Sequence, residues 1–251
     1  MNDFEIRNIE ELSLNAHPAH QTESYDGWLL KTAGGYTNRA NSVNMLYPST
    51  LPIEKKVDWC ENYYHSIGQA SVFKVTPLSE AIDSLLADRG YEYVTKTNLM
   101  ELPLTDDTFS KTVFSDLKAE IFDGLSNEIE DAYFSFISID EHGKEMARQI
   151  HRNILMSQFW ACIRKNNRIV AVGMCVIERG YVGLYNIVVS KEYRRNGYGT
   201  DICASLIKQA KSAGAVKGYL QVVDANANAK VMYEKLGYTY CYSYWYRVKK
   251  D

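Results

Sequence analysis

No apolar run in this 251-residue sequence is longer than the nine residues from Ile169 to Ile177, far short of the ~20 needed to cross a bilayer as a helix. A membrane is therefore not an expected partner. Clustered basic residues are also missing: the formal net charge is −3 and the pI is near 6. That balance argues against nucleic acid or an anionic surface as the main partner. The five cysteines, Cys60, Cys162, Cys175, Cys203 and Cys241, form no Cys-x-x-Cys pair. They lie mostly in apolar runs, which points to buried thiols in a reducing compartment and gives no metal ligand set. The N-terminal MNDFEIRNIEEL is acidic and polar, unlike a secretory signal, so a cytoplasmic protein is the expectation. Gly-Lys-Ser/Thr never occurs, which removes the P-loop. Proline is scarce, and all five lie at or before Pro103.

What is present centres on residues 184–200, LYNIVVSKEYRRNGYGT. An apolar strand-like run is followed by a charged turn and a glycine-spaced arginine segment that opens onto a helical run, DICASLIKQAKSAGA. Gly197 and Gly199 lack Cβ atoms, so the backbone there can turn sharply and approach a ligand closely. Amides at a helix start attract anions such as a phosphate. Arg194 and Arg195 add positive charge beside them. A dinucleotide fingerprint would need a small residue where Ile202 stands and an acid in the Lys217-Gly218 region. Neither is there.

The length suits two small domains or one large one. Periodicity predicts a short helix over 10–16, a hairpin around Asp26-Gly27 and the glycines 34–35, a helix over 53–67 and a strand over 71–75. A helix over 78–88 with Ile82, Leu85 and Leu86 buried, and a strand over 91–102, follow. The polar stretch 103–111 marks the domain boundary, dividing the chain into residues 1–105 and 106–251. Beyond it, alternation at Leu117, Ala119 and Ile121 reads as a strand, and Ser126 caps a helix to about residue 138. A helix over 141–154, three strands over 159–164, 169–177 and 181–189, the helix after Gly199, a strand over 219–223, a helix over 227–235 and an aromatic strand over 238–248 complete it. VFKVTPLSEAIDSLLADRGYEY, from Val72, aligns with LQVVDANANAKVMYEKLGYTY, from Leu220, with Gly90 matching Gly237. An internal repeat of that kind points to two copies of one fold.

Arg194, Gly197 and Gly199 resemble the Arg/Gln-x-x-Gly-x-Gly/Ala signature of the GCN5-related N-acetyltransferase (GNAT) superfamily. Asn226, Ala229, Tyr233, Gly237 and Tyr238 resemble its second signature, in the right order. The similarity is strongest over 115–251, and the first half resembles tandem members in which a degenerate GNAT-like domain precedes the working one. The resemblance implies an α/β fold of two GNAT-like domains, each a mixed, mostly antiparallel sheet flanked by helices. It implies acetyl-CoA as cosubstrate, with its pyrophosphate on the turn formed by Arg194, Arg195, Asn196, Gly197, Tyr198, Gly199 and Thr200, and with Asn226 in contact. By the same resemblance, backbone groups of Ile187, Val188 and Val189 line the pantetheine arm in a gap opened by a strand bulge. Tyr233 corresponds to the tyrosine that protonates the departing thiolate, as an amine attacks the thioester directly.

The family often carries a carboxylate base where this chain has Asn186 and Gln221. Asp224 or Glu178 acting through water, or an amine that arrives deprotonated or loses its proton to ordered water, are the alternatives; a non-catalytic acetyl-CoA sensor is the rival function. The acceptor, a small-molecule or peptide amine, and the oligomeric state are not readable. Tyr181, Tyr185, Tyr242, Tyr244, Trp245 and Tyr246 crowd the acceptor side, either holding a cationic amine or packing as strand residues. RANSVN, residues 39–44, resembles a recurring feature of tandem members and is open to contact with substrate, the other domain or neither.

Overall fold

The computed structural model describes residues 1–109 and 115–250. The first half runs α1 (Asp3–Ala16), β1 (Gln21–Tyr25), β2 (Trp28–Thr32), β3 (Val43–Met45), α2 (Ile53–Ser66), β4 (Ser71–Val75), α3 (Asp83–Asp88) and β5 (Glu92–Pro103). The second runs β6 (Glu120–Asp123), α4 (Asn127–Phe136), α5 (Glu141–Arg152), β7 (Ser157–Lys165), β8 (Arg168–Glu178), β9 (Tyr181–Val189), α6 (Tyr198–Ser212), β10 (Lys217–Val223), α7 (Ala227–Lys235) and β11 (Thr239–Lys249). All strands join one 11-stranded sheet, in the order β1-β2-β3-β4-β11-β5-β10-β9-β8-β7-β6. Pairing is antiparallel except for β3 with β4 and β9 with β10.

The middle of that order is an exchange. β5 follows α3 but pairs with β10, while β11 follows α7 and lies between β4 and β5. Two sheets expected side by side are thus sewn into one. The repeat is exact at its caps. Gly90 (φ 84°) and Gly237 (φ 91°) each end a helix in the left-handed region. Tyr91 N donates to Leu86 O at 3.0 Å, and Tyr238 N donates to Tyr233 O at 3.0 Å. This is the Schellman geometry that glycine makes cheap.

On one face of the C-terminal sheet, Ile202, Cys203, Leu206, Ile207 and Ala210 of α6 pack with Tyr233, Leu236 and Tyr238 over Ala161, Ile163 and Leu184. On the other face α1 lies over the central strands, with Ile6, Ile9 and Leu12 against Leu99, Tyr185, Tyr219, Tyr242 and Tyr244. Each fully buried aliphatic side chain of this kind contributes about 1.5–3 kcal/mol. Trp28, Val57, Tyr64, Phe73 and Leu86 form the core of the first half. Four cysteines are buried and Cys241 is half-buried, none of them bonded to another. Burial pushes the Cys60 and Cys175 thiols up to about 12, so they are unreactive.

Several expectations shift. The first helix begins at Asp3, because Asn2 and Glu5 form a capping box. An extra strand, β1, pairs across the Asp26-Gly27 turn with β2. The helix expected over 78–88 is a 3-10 turn at Glu80–Ile82 followed by the short α3. Alternation at 117–121 yields only β6, from Glu120. The end of the polar boundary stretch 103–111 falls among residues 110–114, outside the described residues. Among the described residues no helix is long and apolar enough to cross a membrane, and no cluster of three or more His, Cys, Asp or Glu is placed to hold a metal ion.

Candidate active site

β9 and β10 pair in parallel only from Tyr181–Lys217 to Leu184–Leu220. Beyond that point the strands separate. On its other side β9 bulges: Tyr185 pairs with Met174 and Val188 with Val172, leaving Asn186 and Ile187 against the single Gly173. Asn186 takes a φ of 53°, in the left-handed region that asparagine tolerates better than most residues. Gly173 permits the bulge to close, since a Cβ there would lie 2.5 Å from Ile187 Cδ1. The result is a gap flanked by Ile187, Val188 and Val189, which are half-buried whereas residues 182–185 are buried.

At the mouth of the gap stands the N-terminus of α6. Gly197, its N-cap, has φ 80° and makes no side-chain cap, so the leading amides of the helix lack intrahelical acceptors. A Cβ on Gly199 would lie 3.3 Å from Met232 Sδ and 3.5 Å from Val189 Cγ2. β9, α6 and α7 thus converge here. The sequence-predicted residues play different parts in this turn. Arg194 Nε donates to Val189 O at 3.2 Å, and Arg195 (φ 67°) donates from Nη2 to Asn228 Oδ1 at 3.2 Å. Asn196 Nδ2 donates to Tyr193 O at 3.0 Å. The Tyr198 ring is buried and its hydroxyl donates to Asp116 Oδ1 at 3.4 Å, so only its backbone faces the turn's chemistry. Thr200 is half-buried.

Asn226 is the N-cap of α7: its side chain accepts from Ala229 N at 3.2 Å. Tyr233 follows two turns later, buried at 9 % exposure, in edge contact with Tyr238 at 6.0 Å. Its hydroxyl has no hydrogen-bond partner among the described residues, and burial raises its pKa above that of an ordinary phenol.

Asn186 and Gln221 both end hydrogen-bond networks. Asn186 Nδ2 donates to His151 Nε2 at 3.2 Å, and Asn186 Oδ1 accepts from the Tyr133 hydroxyl at 3.3 Å. An amide NH₂ only donates, so His151 carries its proton on Nδ1, which donates to Glu130 Oε1 at 2.9 Å. Both His151 and Glu130 are buried. Gln221 donates to Ser13 Oγ at 2.9 Å and accepts from the Tyr244 hydroxyl at 3.0 Å. Neither carboxylate proposed from sequence fits a base. Asp224 Oδ1 accepts from Lys230 Nζ and Asn98 Nδ2, each at 2.8 Å, and the Lys230 bond first, then Asn98, holds its carboxyl below the usual range. Glu178 pairs with Tyr181 at the far end of β8, where Asn15 and Arg179 hold it. Sequence reading missed Glu130 and His151. The signal available was His151 lying beside Ile150 on the buried face of an amphipathic helix.

The corresponding turn of the first half is filled from within. Where α6 begins with open amides, the chain before α2 is tied to Asp26: its carboxylate accepts from Thr50 N at 3.0 Å and Leu51 N at 2.9 Å, with Lys56 Nζ at 3.3 Å. The Leu51 bond first, then Ser49, depresses its pKa. A carboxylate of the chain's own sits where an anion would.

Residues 123–238 match the family described as Acetyltransferase (GNAT) family, and residues 4–85 match the one described as Probable histone acetyltransferase Rv0428c C-terminal. The "Uncharacterized N-acetyltransferase YobR" of Bacillus subtilis (strain 168) is 30 % identical over 251 residues, covering 98 % of this chain and 99 % of that protein. The chain therefore belongs to the GNAT acetyltransferase family, in its tandem form, and is an acyltransferase of that acyl-CoA-using family. A GCN5-related N-acetyltransferase from Kribbella flavida shares the fold at a TM-score of 0.72, with 14 % identity over 98 % of this chain and 95 % of that one. A tandem GNAT protein from the clavulanic acid biosynthesis pathway does so at 0.68, with 11 % identity over 97 % and 87 %.

Proposed function

We propose that the chain transfers an acetyl group from acetyl-CoA to a primary amine by direct attack, with residues 106–251 as the working unit and residues 1–105 as a degenerate partner. The observation that carries this reading is the coincidence of the β9 bulge, the β9–β10 gap and the uncapped start of α6 at one point. The diphosphate is taken by the amides of residues 197–200 with Arg194 and Arg195 beside them, and Asn226 borders the same cleft. Backbone groups of Ile187, Val188 and Val189 hold the pantetheine arm, and one of their amides polarises the thioester carbonyl. The amine adds to that carbonyl, the C–N bond forms as the C–S bond breaks, and Tyr233 gives its proton to the departing thiolate. The amine's surplus proton passes to water, and Tyr233 is reprotonated from solvent. His151 and Glu130 fix Asn186 and with it the shape of the bulge.

Calorimetric titration with acetyl-CoA tests the reading. One site per chain in the micromolar range, with amine-dependent release of thiol, is expected. Two sites would contradict the self-filled turn at Asp26, and an absence of binding would overturn the proposal.

A further inference from the structure

Arg39 belongs to the first half, yet it lines a cavity together with Val223, Tyr244 and Tyr246 of the second. The loop that carries it is firmly built. Asn41, 4 % exposed, accepts from Ala33 N at 2.6 Å and Gly35 N at 3.0 Å and donates to Thr37 O at 2.8 Å. Ala40 is buried and packs with Ala33 and Ile150 of α5, and His142 of the same helix hydrogen-bonds Gly34 O at 2.9 Å. Asn41 of the RANSVN segment is thus spent on holding the loop, whereas Arg39 is not. The Arg39 guanidinium has neither ion pair nor hydrogen bond among the described residues, while the phenol groups of Tyr244, Tyr246, Tyr185 and Tyr133 lie within its electrostatic reach.

A cavity of about 210 Å³ opens at this point, lined by Thr37, Arg39, Thr97, Val223, Tyr244 and Tyr246 among others, with no carboxylate among the described residues of its wall. Val223, the last residue of the β10 strand that bounds the β9–β10 gap, is part of the cavity wall, and the Arg39 guanidinium lies within electrostatic reach of Tyr133, whose hydroxyl donates to Asn186 Oδ1 in the bulge. The half-buried Arg39 guanidinium has no counter-ion among the described residues, and an anionic ligand in the cavity would supply one. Its planar fork matches a carboxylate, which it holds by two parallel bonds. Threonine hydroxyls and tyrosine faces suit the remainder of a small zwitterion, the rings accepting an ammonium before it loses its proton. The volume lies below the ~300–1,000 Å³ of pockets that take drug-sized ligands, so the occupant is small.

We propose that this cavity is the acceptor site and that Arg39 binds the carboxylate of a free aminocarboxylate, an amino-acid-like molecule whose amine then points at the gap. This rests on the acyl-transfer reading above. The test separates the two. Acetylation is measured with alanine, alaninamide and ethylamine, and in parallel with other free amino acids, β-alanine and aminoethyl phosphate. Each is also titrated calorimetrically into CoA-saturated protein. Wild type is compared with Arg39→Gln and Arg39→Lys. The expected result is a preference for aminocarboxylates over their amides and decarboxylated analogues, and a KM raised on the order of 10- to 100-fold by Arg39→Gln. Arg39→Lys should restore part of it, while acetyl-CoA affinity and the rate with ethylamine stay within about twofold. Aminocarboxylate binding that depends on Arg39, without turnover, would support the site and overturn the transfer reading. Equal use of alanine, alaninamide and ethylamine, a preference for aminoethyl phosphate, equal loss for every amine in Arg39→Gln, or no aminocarboxylate binding at millimolar concentration would overturn the proposal.

Discussion

Replacing Tyr233 by phenylalanine removes one oxygen from a side chain that is 9 % exposed. The ring keeps its edge contact with Tyr238 at 6.0 Å and its place among Cys203, Leu236 and Met232. Because the hydroxyl has no hydrogen-bond partner among the described residues, the substitution strands no other polar group. The net stability change should therefore be within about 1 kcal/mol, and stabilising if anything. Catalysis should respond very differently. A positioned acid contributes about 10²- to 10⁴-fold, roughly 2.7–5.4 kcal/mol at 1.36 kcal/mol per decade. The assay is thiol release during steady-state acetyl transfer, read beside the calorimetric Kd for acetyl-CoA and the melting temperature. Turnover should fall by at least about a hundredfold, with Kd and Tm nearly unchanged. Burial raises the Tyr233 pKa, so the acid stays protonated and wild-type kcat should show no descending limb from it below about pH 10. Unchanged turnover, or a parallel loss of turnover, affinity and Tm, would refute an acid role and leave Tyr233 as packing.

Gly199→Trp should weaken acetyl-CoA binding on the order of 100-fold by filling the turn. The fold should survive, since the nearest atom is the Met232 sulfur; unchanged affinity in calorimetry would remove the diphosphate from this turn. Gly173→Ala places a methyl 2.5 Å from Ile187 Cδ1 and Ile202 Cγ2, and should cost about 1–3 kcal/mol in denaturant unfolding while raising the KM for acetyl-CoA through the bulge. A neutral effect on both would show that the bulge has room to spare. Lys31 is buried, donates to His17 O at 2.7 Å and has its pKa lowered to about 7, by burial first and then by Lys74 and Arg39 against Glu10. Below that value it is charged folded and unfolded alike, and the penalty is fully present. From pH 7 towards 10.5 the unfolded chain binds more protons, so stability rises with pH, by up to about 1.36 kcal/mol per unit. Lys31→Met should flatten the unfolding free energy between pH 7 and 9, and parallel profiles for the two proteins would refute the assignment.

Local signals that depend on one segment were readable from the chain. The span of α7, the left-handed glycines 90 and 237, and the strand running into the α6 turn all follow from period and turn chemistry within about twenty residues. What could not be read was partnership. An alternating strand announces that it has two faces, not which strands flank it, so β11 between β4 and β5 was invisible. The same holds for the buried polar groups. Glu130, His151 and Asn186 are separated in sequence by 21 and 35 residues, and each alone looks like an ordinary helix or strand residue. In the sequence Asn186 and Gln221 read only as amides where the resemblance leads one to expect acids; their partners Ser13, Tyr244 and His151 approach only in three dimensions.

The exchanged strands bear on how the molecule is made. β11 is made after every other strand of the sheet, yet it fills a gap beside β4, and Trp245 Nε1 donates to Asp83 across 162 residues. The N-terminal half must therefore wait, with that edge of β4 unpaired, until β11 has been made. Such late closure over long sequence distances is slow and exposes a strand edge meanwhile. A ribosome stalled shortly before residue 239 should hold a nascent chain whose first half is still open to proteolysis, so neither half reaches its finished form ahead of the other.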